Sequence, residues 1–476
     1  MKKYKYIIVA SFVTTCLLVS SCKTPQTSLE NNTKKLPESF GSTTDTVSSA
    51  TINWKTFYSD KYLVKLIDTA LVKNYDVLIS LQKIKAAQSD VLFNKGAILP
   101  SVSGVATAGV RRFGLYTMDG AGNATTDITP GELVPFNLPD YLVGLQTSWE
   151  VDVFGKLKNQ KKAAVSRVLS SEAMKNVVIT NLIAEIANSY YELIALDQSI
   201  AIIDKNITIQ ENALEMVIFM KEAAASNELA VKQFKAQLLN IKAMKVEVQK
   251  QITEIENKIN FLIGSYPQKI ERQTSFTTSN LPSEIQFGIP SALLQNRPDI
   301  RMAEFELIAS KSDVSSAKAQ FYPNLTITGG MGYQAFKPNL LFNPQSVAFN
   351  LIGGLTAPLL NRSAIKASFN KAHAYQVEAL YSYQSTILNA YLEVNTEMAR
   401  NNNLKELLKL KTEETLELNN SIEIASDLFK FGRANYIEVL TVQQNALQAE
   451  LDLIETQKKQ FQTTVNIYKA LGGGWK

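Results

Sequence analysis

Apolar residues recur in alternating steps of four and three along several stretches of the chain. Leu182, Ile186, Leu193, Leu196, Ile200, Ile203 and Ile207 do so, with Ser189 filling one place in the seam. Leu447, Leu451, Ile454, Phe461, Val465 and Tyr468 repeat the pattern, with Lys458 in one place, and Ile252, Ile255, Ile259 and Leu262 continue it. Steps averaging about 3.5 keep a seam on one side of a helix and demand a neighbouring helix. The runs that carry these seams lack breakers. There is no Gly or Pro from Lys156 to Ile263, from Asn361 to Phe431, or from Arg433 to Leu471. A helix of about 60 residues spans about 90 Å, far more than a globular domain needs.

Between the helical runs lie four candidate strands, near 101–112, 140–153, 324–335 and 347–360. Leu145, Thr147, Trp149, Val151 and Val153 alternate with more polar neighbours, and Leu325 and Ile327 do the same. Pro100, Pro139, Pro323 and Pro358 mark their ends, and Phe113, Tyr141, Trp149, Tyr333, Phe336 and Phe349 lie along or near them. Strands of this length and pattern suit a transmembrane β-barrel; taken alone they suit a small soluble sheet equally well. No apolar stretch beyond the N-terminal segment reaches the length of a spanning helix, which leaves a closed barrel as the only way across a bilayer. Four strands cannot close. A membrane reading therefore requires several chains to share one barrel.

The chain also repeats itself. Ser89, Asp90, Val91, Lys95 and Pro100 recur 223 positions later as Ser312, Asp313, Val314, Lys318 and Pro323. Farther on the spacing is 208: Leu157 matches Ile365, Lys158 matches Lys366, Asn227 matches Asn435 and Gly264 matches Gly472. The order helix, strand, strand, long helix, helix is thus expected twice, over 59–264 and 291–476, joined by a linker at 265–290. The change of spacing puts about fifteen extra residues into the first strand–strand loop, 112–140.

Composition changes the picture mainly at the N-terminus. Lys2, Lys3 and Lys5 precede an apolar run from Ile7 to Val19, which fits a signal peptide over 1–21. Val19-Ser20-Ser21-Cys22 resembles a bacterial lipobox, so Cys22 is the expected lipidation site and the first mature residue. Two or three acyl chains anchor a protein firmly. Lys23 in second place favours the outer membrane, by resemblance to Gram-negative lipoproteins, and 22–58 would form a lipidated arm. Without the signal, 46 basic residues face 44 acidic ones, so a nucleic-acid partner is not expected. His373 is the lone histidine and reads as an ordinary helix residue. No nucleophile with a base, metal constellation or phosphate-binding glycine loop is present, so neither an enzyme nor a cofactor is expected.

With these features the sequence resembles the TolC-like outer-membrane factors, in particular the lipoprotein branch that works with RND-type pumps. The motifs are Asn296-Arg297-Pro298-Asp299-Ile300-Arg301-Met302-Ala303-Glu304, Ser148-Trp149-Glu150-Val151-Asp152-Val153-Phe154-Gly155 and Leu471-Gly472-Gly473-Gly474-Trp475, over nearly the whole mature chain. The arginine–proline–aspartate stretch also reads simply as a helix start, with Pro298 in the first turn. The resemblance implies a mainly α protein with four transmembrane strands per chain. A homotrimer would share a twelve-strand barrel continuous with a helical periplasmic tunnel. It implies a passive exit duct in the Gram-negative outer membrane, served by a periplasmic adaptor and an inner-membrane RND-type pump. The alternatives are a lipid-anchored periplasmic scaffold of coiled coils and the exit duct of a type I secretion system.

The resemblance also implies a periplasmic tip at the turns Met220–Leu229 and Phe429–Ile437. Phe431, Gly432, Arg433 and Ala434 resemble the family's adaptor-contact motif, with Ala224 and Ser226 in the first turn. Gly432 equally suits a helix C-cap, and the first turn has Ala224 at the matching place. Glu438 and Thr441 occupy the two positions that are often acidic and ring the closed aperture; only Glu438 is acidic. An anionic ring would attract cations, while a lone helix acid is the plainer reading. Arg433 stands close enough in sequence to bridge to a carboxylate there.

Overall fold

A computed structural model of the chain describes residues 36–40, 47–276, 285–358 and 362–476. The signal segment and Cys22 lie outside the described residues. In chain order the elements are α1 (Trp54–Phe57), α2 (Lys61–Lys73), α3 (Tyr75–Gly96), β1 (Ser101–Arg111), α4 (Met118–Asn123), β2 (Asp127–Thr129), β3 (Glu132–Leu133) and β4 (Leu138–Val151). There follow α5 (Lys156–Glu222), α6 (Glu228–Leu262), α7 (Leu293–Asn296), α8 (Pro298–Ala319), β5 (Asn324–Ala335), β6 (Val347–Thr356), α9 (Ser363–Lys430) and α10 (Tyr436–Ala470). The two long helices run 67 and 68 residues, and the helices after them 35 each.

The chain falls into two compact units. One comprises Ala86–Val168 and Phe305–Leu380. It holds a four-stranded antiparallel sheet in the order β1-β4-β5-β6, so β1 and β6 are edge strands. Register is continuous: Ser101 lies opposite Ser148, Trp149 opposite Ile327 and Asn324 opposite Thr356. The fourth strand begins two residues earlier than its sequence pattern suggests and ends at Val151, because Asp152 leaves the ladder to cap α5. Its Oδ1 and Oδ2 accept from the backbone N–H of Leu157 and Lys158 at 3.0 and 2.8 Å. β6 stops at Thr356, short of the expected 360, ahead of Pro358, which has no N–H to donate. The long loop between β1 and β4 is not structureless. It holds α4 and the small β2–β3 hairpin, with Gly131 in the left-handed region at φ 85°.

The other unit comprises Asn32–Lys85, Leu169–Glu304 and Tyr381–Lys476. The seam residues form its cores. Leu182, Ile186 and Leu193 pack with Ile259, Phe461, Val465 and Tyr468, and with Trp54, Phe57 and Leu63 of the short N-terminal helices. Phe57 stacks on Tyr468 with ring centroids 3.9 Å apart. The polar seam residue Lys458 pairs with Glu192 and Glu455 at 3.0 and 2.6 Å. The linker is tied down by Arg272, which pairs with Asp197 and Glu256.

Candidate functional site

The sheet presents two unlike faces. Antiparallel register puts odd-numbered residues of β4 and β5 on the same side as even-numbered residues of β1 and odd-numbered residues of β6. That side carries Val102, Val110, Tyr141, Val143, Leu145, Trp149, Val151, Leu325, Ile327, Met331, Tyr333, Phe349, Leu351 and Leu355. Many of these are fully presented to the surroundings, Phe349 and Leu351 at 83% and 77% exposed. The polar Thr147 on this side donates its hydroxyl to Ser101 O at 2.9 Å, and the Trp149 indole N–H donates to Ile98 O at 2.9 Å. The opposite side carries Ser101, Ser103, Thr107, Arg111, Asp140, Gln146, Ser148, Glu150, Thr326, Thr328, Gln334, Asn350 and Thr356, with Val105, Leu138, Leu142 and Ile352 among its apolar exceptions. Its charges are paired. Arg111 bridges to Asp140, whose Oδ1 also accepts from Gln334 Nε2 at 2.8 Å, and Lys156 meets Glu150 at 2.6 Å.

Midway along the polar side Gly144 and Gly332 lie directly opposite each other. A Cβ on Gly144 would sit 2.5 Å from Met331 O and 2.7 Å from Gly332 Cα, and one on Gly332 would collide with Val143 O. The two strands approach here so closely that only glycine fits, as where one backbone passes tightly against another.

In the helical unit, the two predicted turns come together at one end of a four-helix cluster. Val217 of α5, Ala230 and Phe234 of α6, Ala425 and Phe429 of α9, and Val439 and Leu440 of α10 share one buried cluster. Gln444 Nε2 donates to Gln237 Oε1 at 2.8 Å between α10 and α6. Both turns close the same way. The N–H groups of Ala225 and Ser226 reach Met220 O at 2.7 and 3.1 Å, and those of Arg433 and Ala434 reach Leu428 O at 2.8 and 3.2 Å. Gly432 adopts φ 69°, and Ala224 adopts the same left-handed conformation at φ 57°. Asn227 and Asn435 then cap α6 and α10, Asn227 Oδ1 accepting from Ala230 N and Asn435 Oδ1 from the N–H of Ile437 and Glu438.

Glu438 thereby has a local role. Its Oε1 accepts from Asn435 Nδ2 at 2.9 Å, completing a reciprocal helix cap. Thr441 Oγ1 returns to Ile437 O at 2.8 Å. Arg433 is exposed and forms no ion pair with a carboxylate of this chain among the described residues, and Asn435 engages the neighbouring Glu438 carboxylate. Phe431 is 78% exposed at the crest of the second turn.

The arginine–proline–aspartate stretch does more than start α8. Arg297 is buried; its Nε and Nη2 grip Asp299 at 3.1 and 2.7 Å, and its Nη1 reaches both Glu393 of α9 and Ala470 O at the end of α10, each at 2.7 Å. The C-terminal residues close over it, Trp475 Nε1 donating to Asn296 O at 3.0 Å and Lys476 Nζ to Asn296 Oδ1 at 2.7 Å. The sequence marks Arg297 only through its motif. Nothing local reveals partners 96 and 173 residues away.

The sheet thus has one apolar side, one polar side and two edge strands, and short turns join two pairs of long helices, α5 to α6 and α9 to α10. The sequence profile of the outer membrane efflux protein family matches residues 66–265 and 289–473, and the chain belongs to that family. It is a protein of the outer membrane and serves as the exit duct of an efflux system. It is 26% identical to the solvent efflux pump outer membrane protein SrpC of Pseudomonas putida over 435 residues, covering 90% of this chain and 89% of the relative. To the cation efflux system protein CusC of Escherichia coli it is 25% identical over 423 residues, covering 89% and 88%. The crystal structure of a membrane protein from Pseudomonas aeruginosa superposes with a TM-score of 0.82 at 25% identity, covering 93% of this chain and 98% of that one.

Proposed function

We propose that three copies of this chain assemble into one passive duct for efflux substrates. Each contributes its four strands to a shared twelve-strand barrel, β6 of one copy pairing with β1 of the next. The observation that carries the reading is the sheet itself, with an exposed apolar side, a polar side of paired charges, and two edge strands. In a bilayer every strand edge must be paired, so an open four-stranded sheet is stable there only as part of a closed ring. The two halves of the chain supply two similar staves, which makes three chains pseudo-sixfold.

The helices extend into the periplasm, and the two turns form the end that meets an adaptor protein. Phe431, Gly432, Arg433 and Ala434 of the second turn, and Ala224 and Ser226 of the first, make that contact, while Glu438, Thr441 and Arg433 border the aperture. Cys22 carries the lipid anchor. An inner-membrane pump of the RND type supplies the energy through the adaptor. Electron microscopy of the full chain, purified in detergent with Cys22 intact, tests the assembly. A threefold tube ending in a short barrel is expected. A monomer, or a helical rod without a barrel, would overturn the duct and favour a lipid-anchored scaffold.

A further inference from the structure

All four passages between helix and strand lie at the same end of the sheet, where Ser101 faces Ser148, Val151 faces Leu325 and Asn324 faces Thr356. Those passages are crowded with cations. Lys95 ends α3, Lys156, Lys158, Lys161 and Lys162 open α5, Lys318 ends α8, and Arg362, Lys366 and Lys371 surround the start of α9. Across 95–100, 150–162, 318–324 and 356–371, nine cations meet two acids, Glu150 and Asp152. Both acids are occupied, Glu150 by Lys156 and Asp152 by the N-terminus of α5. Among the described residues Lys95, Lys158, Lys161, Lys162, Lys318 and Lys366 form no ion pair. The hairpin end has no such excess. There Arg111, Arg112 and Lys337 stand against Asp119, Asp127, Glu132 and Asp140.

Apolar surface lies among these cations. Val153 continues the apolar side of β4 beyond the ladder and is 60% exposed. Phe154 is exposed and stacks on Tyr322, ring centroids 4.8 Å apart and nearly parallel. A cleft of about 430 Å³ opens beside them, walled by Phe154, Tyr322 and Lys156 together with the two occupied acids Glu150 and Asp152.

We infer that this collar binds the anionic headgroups of phospholipids in the leaflet nearest the helices. The inference rests on the membrane reading above. Six lysines without an ion pair among the described residues give this end of the sheet an excess of positive charge that an anionic surface would neutralise. The collar adjoins the apolar side of the sheet, so the surface that meets it is the headgroup layer of the same bilayer. Lysine stems lie along apolar surface while their heads reach phosphate, and each cation near an anionic membrane adds to the attraction. Val153, Phe154 and Tyr322 occupy the acyl boundary beneath those heads.

Trp149 is the reporter. It sits on the apolar side, two residues before the end of β4. The full chain is reconstituted into phosphatidylcholine vesicles, and its fluorescence is quenched by lipids brominated on their acyl chains. A Trp149→Phe variant gives the background from Trp54 and Trp475. At equal low mole fraction, brominated phosphatidylglycerol is expected to quench Trp149 roughly fivefold more effectively than brominated phosphatidylcholine. A Lys158→Gln, Lys161→Gln, Lys162→Gln, Lys366→Gln variant loses that preference and keeps the quenching by neutral lipid, which shows that its barrel is intact. Equal quenching of the native protein by the two lipids overturns the collar and leaves the membrane reading standing. An absence of quenching by either lipid overturns both.

Discussion

Single residues carry the sharpest consequences of the two turns. Ala224 holds the left-handed conformation that Gly432 holds in the matching turn. A Cβ in that region costs about 1 kcal/mol, and nothing in the turn requires the methyl group. Ala224→Gly is therefore expected to stabilise the first turn by about 1 kcal/mol, read as slower amide exchange at 223–227. Unchanged exchange would mean that the strain is relieved elsewhere. Glu397 is a second such residue. It is buried in α9, with Oε1 on Arg400 at 2.7 Å and Oε2 without a partner. Burial raises its pKa above the ordinary 4.5, Arg400 pulls it down and Glu393 pushes it further up. The native state thus holds this proton more tightly than the unfolded chain, and stability falls as pH rises from about 4.5 through the folded pKa. Glu397→Gln is expected to raise Tm at pH 7 and to leave it unchanged below the ordinary carboxyl range. A pH-independent effect would remove the titration from the account.

At the scale of elements, Arg297 ties three segments that are distant in sequence. Removing it leaves Asp299, Glu393 and the Ala470 carbonyl without their shared donor. Arg297→Ala is expected to cost about 2–3 kcal/mol, with Lys restoring only part, because an ammonium cannot make the two-pronged grip on Asp299. Thermal unfolding of the three forms checks the order. The long helices and four strands were legible because each shows its own period over many residues: the 4-3 seam of Leu182 to Ile207, and the alternation from Leu145 to Val153. Both turns were legible from the internal match of Asn227 to Asn435. What the pattern hid was non-periodic or long-range. The helix α4 and the β2–β3 hairpin are too short to carry a period, Asp152 reads as strand until its two caps are seen, and the partners of Arg297 leave no local trace. Ala224 concealed its backbone, since alanine gives no warning of a left-handed turn. The cap that engages Glu438 was equally hidden, though Asn435 three residues before it was the available signal.

At the scale of the whole molecule, the threefold assembly proposed above would turn a modest side chain into a ring. One Glu438 is a solvated helix acid held in a cap; three around the axis of the proposed trimer would form an anionic constriction that draws cations. Glu438→Gln in the assembled protein is expected to reduce cation preference, measured as a shift in reversal potential across a planar bilayer under a salt gradient. An unmoved potential would confine Glu438 to its cap.

The close approach of Gly144 to Gly332 bears on how many copies can join. Strand β6 of one copy on β1 of another is a head-to-tail contact, and such a contact either closes into a ring or runs on without end. Which happens depends on the angle through which each copy turns the growing wall. In the proposed ring, the bare pair would permit a turn of the wall at this point and so act as the counting device. Gly332→Val is expected to flatten each copy, and size-exclusion chromatography with light scattering should then find open ribbons or rings of higher order in place of a single closed species. A wall that still closes at the native number would place the count in the helices.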